Sequence, residues 1–161
     1  MRPIHKTFLF LLLFTFPPIE LPAQNQSQWV EVSKFVDGDT FWISNSKGEQ
    51  EKVRLIGVDA PESRRTGKKE IGYFGKEAAS YAVKLLDGKK IRLEYDVTKY
   101  DRYKRTLAYV FLEDGTFLNA HLVENGYAMV MTVPPNVKYA DLFVKLQNEA
   151  RIQKRGLWAI P

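Results

Sequence analysis

Apolar and polar positions change rhythm several times along this chain, and the changes divide it into elements. WVEVSKFV (29–36), TFWIS (40–44) and EKVRLIGV (51–58) are short runs rich in β-branched and aromatic residues, separated by DGD (37–39) and NSKG (45–48). Runs of this length between turn residues predict a three-stranded meander. In IRLEYDV (91–97), Ile91, Leu93, Tyr95 and Val97 alternate with Arg92, Glu94 and Asp96, the pattern of a half-buried strand. RTLAYVFLEDGTFL (105–118) predicts a strand that turns at Asp114-Gly115. Helical spacing appears in three places. Phe74, Ala78, Ala82 and Leu85 recur at intervals of three or four, with Gly88 as a stop. A short segment over 119–124 stops at Asn125-Gly126, and Tyr139, Leu142, Phe143, Leu146 and Ala150 mark a last helix ending near Gly156. Five strands and three helices predict a small α+β domain, for which an OB-type barrel is a natural candidate.

The N-terminus follows another pattern. Arg2, His5 and Lys6 precede FLFLLLFTF (8–16), an uncharged run too short for an ordinary spanning helix. PPIELPAQ then breaks it and offers Ala23 as a small residue for cleavage. This layout predicts a signal peptide over residues 1–23 and one domain over 24–161. A secreted or periplasmic protein follows, with an uncleaved N-terminal membrane anchor as the alternative. The chain has no cysteine, which removes thiolate nucleophiles, Cys-based zinc sites and disulfides. The net charge of +5 falls to +4 without the leader's two cations, Arg2 and Lys6, and its one anion, Glu20. The domain remains basic, which favours a polyanionic partner.

Outside the leader His121 is the only histidine, and neither a G-x-S-x-G elbow nor a Gly-rich phosphate loop occurs. Carboxylates and arginines are left. They gather at Asp37-Gly38-Asp39-Thr40, at VRLIGVDAPES (53–63) with Arg54, Asp59 and Glu62, and at KYDRYKRTLAY (99–109) with Arg102 and Arg105. The first cluster is either a plain hairpin turn, Gly38 supplying φ > 0, or a turn that also holds a cation. If residues 54, 56 and 58 share a strand face, Arg54 stands among apolar neighbours. It then either pairs with a core carboxylate or points into a pocket that receives a phosphate. Pro61 stops the strand near Ala60. Two aspartates brought together by strand pairing suit a hard divalent cation. A cation, two arginines and a glutamate able to take a proton from water make a phosphodiester site. YDRYKR (100–105) interleaves aromatics with bases, either as a solvated loop or as a contact to nucleotides. ESRRTGKKEIGYFG (62–75) reads as a mobile basic loop over the acidic cluster.

VDGDT, VRLIGVDAPE, FGKEAASYAVKLL and YDRYKRTLAYVFLEDGTFLNAHLVENGYA, closed by RGLW, resemble in order and spacing the thermonuclease family, the staphylococcal-nuclease-like domains, over residues 29–158. The resemblance implies a five-stranded OB-fold β-barrel with three packed α-helices. It also implies a Ca²⁺-dependent phosphodiesterase that cleaves DNA and RNA to 3′-phosphate products. Carried over residue by residue, it makes Asp39 and Asp59 calcium ligands, Ala60 a ligand through its backbone carbonyl, Glu62 the general base, and Arg54 and Arg105 the phosphate-binding arginines. Tyr103, with Arg102 and Lys104, is a candidate nucleotide contact. Some family members carry tyrosines against the nucleotide about where Thr132 and Pro134 stand here, so nucleotide affinity and base preference are expected to differ. We expect a monomer with no stable protein partner. Two other readings are a non-catalytic OB-fold nucleic-acid-binding module and a metal-independent ribonuclease pairing Glu62 with His121. Non-catalytic relatives typically lose the acidic or arginine positions, which are filled here.

Overall fold

Strands β1 (Val30–Phe35), β2 (Thr40–Ser44) and β3 (Gln50–Leu55) pair antiparallel in succession, forming the expected meander. This is seen in a computed structural model that describes residues 27–45, 47–65, 67 and 70–159. The leader expected over 1–23 lies outside the described residues. The elements that follow are β4 (Gly57–Asp59), α1 (Gly75–Leu86), β5 (Lys90–Glu94), β6 (Thr106–Leu112), α2 (Leu118–Glu124), β7 (Met129–Met131) and α3 (Ala140–Ile152). A 3₁₀ turn over Gly156–Trp158 comes last.

The barrel closes in the order β1-β2-β3-β6-β5, with β5 antiparallel to β1 and β6 parallel to β3. Closure leaves no unpaired edge among these strands. The expected α+β barrel with three helices is therefore the observed architecture. Alternate residues point inward, so Phe41, Ile43, Val53, Leu55, Ile91 and Leu93 are all buried in the core. Leu118 and Leu122 of α2 and Phe143 of α3 join the same cluster. Helix α1 buries Gly75, Ala78, Ala82 and Leu86, a stripe of mostly small residues that lets it lie close to the chain beneath it.

One expectation is corrected. The stretch 51–58 is not a single strand. Strand β3 ends at Leu55, the chain turns at Ile56, Gly57 adopts φ +78°, and β4 leaves to pair with β7 in a separate two-stranded sheet. Residues 54, 56 and 58 therefore do not share one strand face. Fully buried Asn119 holds the break in place. Its Nδ2 donates to the Ile56 carbonyl at 2.9 Å, and its Oδ1 accepts the Val110 N–H at 2.9 Å. The expected strand over 91–97 is also shorter, since β5 ends at Glu94 and Asp96 instead accepts from the Tyr109 hydroxyl and the Lys138 N–H. Among the described residues no helix is long and apolar enough to cross a membrane.

Candidate active site

The β1–β2 turn is tight. Val36 and Asp37 both donate their backbone N–H to the Thr40 carbonyl, and the Asp39 N–H reaches Asp37 Oδ1 at 3.3 Å. Asp37 thus shapes the turn. Gly38 is not at positive φ, contrary to the hairpin expectation. A Cβ there would sit 2.8 Å from the Ala60 Cβ, so the glycine is required by close approach of two chain segments. That approach delivers the Ala60 N–H to Asp39 Oδ2 at 2.7 Å.

Arg54 ties the acidic residues together. Its Nη2 lies 3.1 Å from Asp39 Oδ2 and 2.7 Å from Asp59 Oδ1. Its Nη1 donates to the carbonyls of Leu55 and Val58 at 2.8 and 2.7 Å, across the break between β3 and β4. The sequence left two options for this arginine, a buried ion pair or a pocket. The ion pair is what forms, and the same side chain also lines a cavity of about 430 Å³. Arg105 lines that cavity as well, with Arg102 and Tyr103. Lys104 is not among its lining residues.

Arg105 is held by Asp101, through Nε at 2.7 Å and Nη2 at 2.7 Å to the same oxygen. Burial opposes the charge of Asp101, but the Arg105 backbone N–H, side-chain hydrogen bond and charge outweigh it and hold the carboxyl below its usual range. Tyr103 is 63% exposed and lies under the guanidinium groups of Arg102, at 4.8 Å, and Arg105, at 5.4 Å. The opposite wall is Met131, Val133, Pro134 and Pro135, so Pro134 lines the cavity and Thr132 does not appear there. Buried Asn136 joins the walls by a reciprocal pair of hydrogen bonds with the Thr98 backbone, both 2.8 Å.

Glu62 follows Pro61, just past the acidic strand end, and its backbone is pinned from the far end of the 62–75 loop. The Gly72 N–H donates to the Glu62 carbonyl at 2.9 Å, and a Cβ on Gly75 would lie 2.1 Å from that same carbonyl. Arg64 reaches back to the Val36 carbonyl, tying the loop to the β1–β2 turn. Residues 66, 68 and 69 of the loop lie outside the described residues. His121 is occupied elsewhere, with Nε2 hydrogen-bonded to the Tyr81 hydroxyl at 2.9 Å and its ring stacked on Tyr81.

The donor set fits a hard cation. Burial pushes the Asp39 carboxyl up to about 7, with Arg54 pulling it back and Asp37 adding to the rise. A buried carboxylate incompletely neutralised by its arginine is stabilised by a further positive charge. Asp59 turns Oδ1 in to Arg54 and still keeps 46% of its side chain exposed. Among the described residues no three His, Cys, Asp or Glu side chains form a metal cage. Asp39 and Asp59, held on one arginine, are two carboxylates and so a sparse oxygen set, one that leaves most of a hard cation's shell to water and backbone.

Asp101 and Asn136 were not singled out from the sequence. Asp101 had a signal, an acid four residues before Arg105 within a turn. Asn136 had none.

The model of the family described as "Staphylococcal nuclease homologue" matches residues 52–160. A thermonuclease of Staphylococcus intermedius is 41% identical over 127 residues, covering 79% of this chain and 74% of that protein. A thermonuclease of Staphylococcus hyicus is 38% identical over 132 residues, covering 82% and 76%. Endonuclease YncB of Bacillus subtilis is 33% identical over 141 residues, covering 85% and 65%.

Proposed function

From the premise that this chain belongs to the staphylococcal nuclease homologue family, we propose that it is a Ca²⁺-dependent nuclease that hydrolyses phosphodiester bonds in both DNA and RNA, leaving 3′-phosphates. The observation that carries this reading is Arg54, which joins Asp39 and Asp59 and opens on the cavity shared with Arg105.

The residues divide the work by position. Arg54 and Arg105 neutralise charge that grows on the phosphate as water attacks phosphorus. Glu62 takes a proton from that water. The new bond is oxygen to phosphorus, and the bond broken is phosphorus to the 5′-oxygen, which leaves and is protonated from solvent. Asp39, Asp59 and the Ala60 carbonyl would hold the calcium ion. Bound there, calcium supplies further positive charge against the phosphate. Export of the mature domain by its leader completes the reading.

The test is hydrolysis of plasmid DNA and of RNA by the purified domain. We expect both to be degraded in Ca²⁺ and neither in excess EGTA. Full activity in EGTA would reject the calcium site and favour the Glu62–His121 ribonuclease, although His121 is already bonded to Tyr81.

A second expectation concerns the pin beneath Glu62. Gly75→Ala forces the Glu62 carbonyl to shift. Small misplacement of a reacting group costs up to about 10²-fold, so turnover should fall on the order of 10–10²-fold with little change in KM. Unchanged kcat would mean that Glu62 tolerates the displacement.

A further inference from the structure

Next to the arginine-lined cavity is a second depression of about 580 Å³, and the two share Tyr100 and Tyr103. Strand register defines its floor. Thr40 pairs with Arg54 and Trp42 with Lys52. Because alternate residues of a strand share a face, the sheet face bearing Arg54 continues two residues back into Lys52, directly opposite Trp42. Lys52 Nζ lies 5.8 Å from the centre of the Trp42 ring.

The facing wall is the 99–104 turn. Tyr100 and Tyr103 are 53% and 63% exposed, and the Lys99 amine lies 5.4 Å over Tyr100. Lys104, at φ +61°, occupies a conformation that glycine takes freely and lysine only with strain. Four lysines, 47, 52, 99 and 104, face two glutamates, 49 and 51. Each glutamate already accepts a hydrogen bond, Glu49 from Asn45 Nδ2 and Glu51 from the Thr106 hydroxyl. The lining is net positive and interleaved with rings. Nothing in the phosphodiester chemistry above uses it.

We infer that this depression is a shelf for the continuing single strand of the substrate. Resting on the nuclease reading, it would take nucleotides that lie beyond the one at the scissile phosphate. The strand crosses the rim at Tyr100 and Tyr103. Its bases stack on those rings and on Trp42, and its phosphates meet Lys52, Lys99 and Lys104. Stacking needs unpaired bases and tolerates any sequence, because every base has a π-face. Substrates longer than the cavity are therefore held more tightly than dinucleotides, and single strands more tightly than duplexes.

The experiment is fluorescence anisotropy with labelled oligothymidylates of two and about ten nucleotides, the longer one within the usual site size of an OB-fold. Binding is measured in the Glu62→Gln background so that the probes survive. The decamer is expected to bind at least about tenfold more tightly than the dinucleotide, the scale of stacking one base. Trp42→Ala and Lys52→Ala should each remove most of that ratio. Each lysine removed should also lower the slope of log K against log salt by about 0.7. Lys104→Gly is the most telling variant, because it should raise Tm while weakening the decamer, which a purely structural lysine would not do. An unchanged length ratio in all three variants overturns the shelf. So does loss with the lysine variants but not with Trp42→Ala, which would make it a plain polyanion patch. Duplex binding as tight as single-strand binding also overturns it. Cleavage by the parent protein in Ca²⁺ separates the two readings. Cleavage without length dependence sinks the shelf alone, and length-dependent binding without cleavage sinks the nuclease reading alone.

Discussion

Glu62→Gln lowers turnover by about 10²–10⁴-fold, the range for loss of a general base, while nucleotide binding stays close to that of the parent. Glutamine keeps the size of the side chain and its place after Pro61, and removes the negative charge and with it the ability to accept a proton. The backbone pins from Gly72 and Gly75 act on the carbonyl, so they survive the change. Single-turnover cleavage of an oligonucleotide, with anisotropy for binding, separates the two effects. Equal loss of binding and turnover would make Glu62 structural.

Arg54→Ala strikes both fold and chemistry. The side chain is 7% exposed and satisfies two carboxylates and two carbonyls. Removing one member of a buried ion pair costs about 3–5 kcal/mol, since the partner is left unpaired. On the proposed reading, losing a donor to the phosphate costs a further 10²–10³-fold in kcat, by the scale of a deleted oxyanion donor. The stability loss should depend on pH. Without Arg54 the Asp39 carboxyl, already raised by burial, rises further above its unfolded value. A group with a raised folded pKa holds its proton in the native state, so stability is retained at low pH and lost as pH climbs toward that pKa. Urea denaturation at pH 5 and pH 8 should therefore show the greater deficit at pH 8. An equal deficit at both would mean that Asp39 finds another cation.

The meander and the helices were legible because each rests on local pattern. Alternation marks 91–94, spacing of three and four marks α1 and α3, and turn residues bracket β1 to β3. The break at Ile56-Gly57 was not legible. VRLIGV carries no Pro, Asn or Asp to mark a turn, and what divides it is pairing with Met129–Met131, some 70 residues on in sequence. The three-residue strand β7 is itself too short to show a period. The role of Gly38 was misread for a similar reason, since a turn glycine and a close-approach glycine look alike until Ala60 is placed beside it. Around the site, residues with distinctive chemistry stood out. The groups that hold them, Asp101 on Arg105 and Asn136 across the cavity, emerge only when distant loops meet.

The hydrogen bond from the Gly72 N–H to the Glu62 carbonyl is the neck of a lariat. Because the two ends of the 62–75 segment are fastened to each other beside the β1–β2 turn, the entropic cost of lengthening what lies between them grows only with the logarithm of its length. Charge or sequence can be exchanged between the knots while the glutamate at one knot stays where it is. Such a loop is suited to diversification, its contour open to revision while the backbone of Glu62 stays anchored.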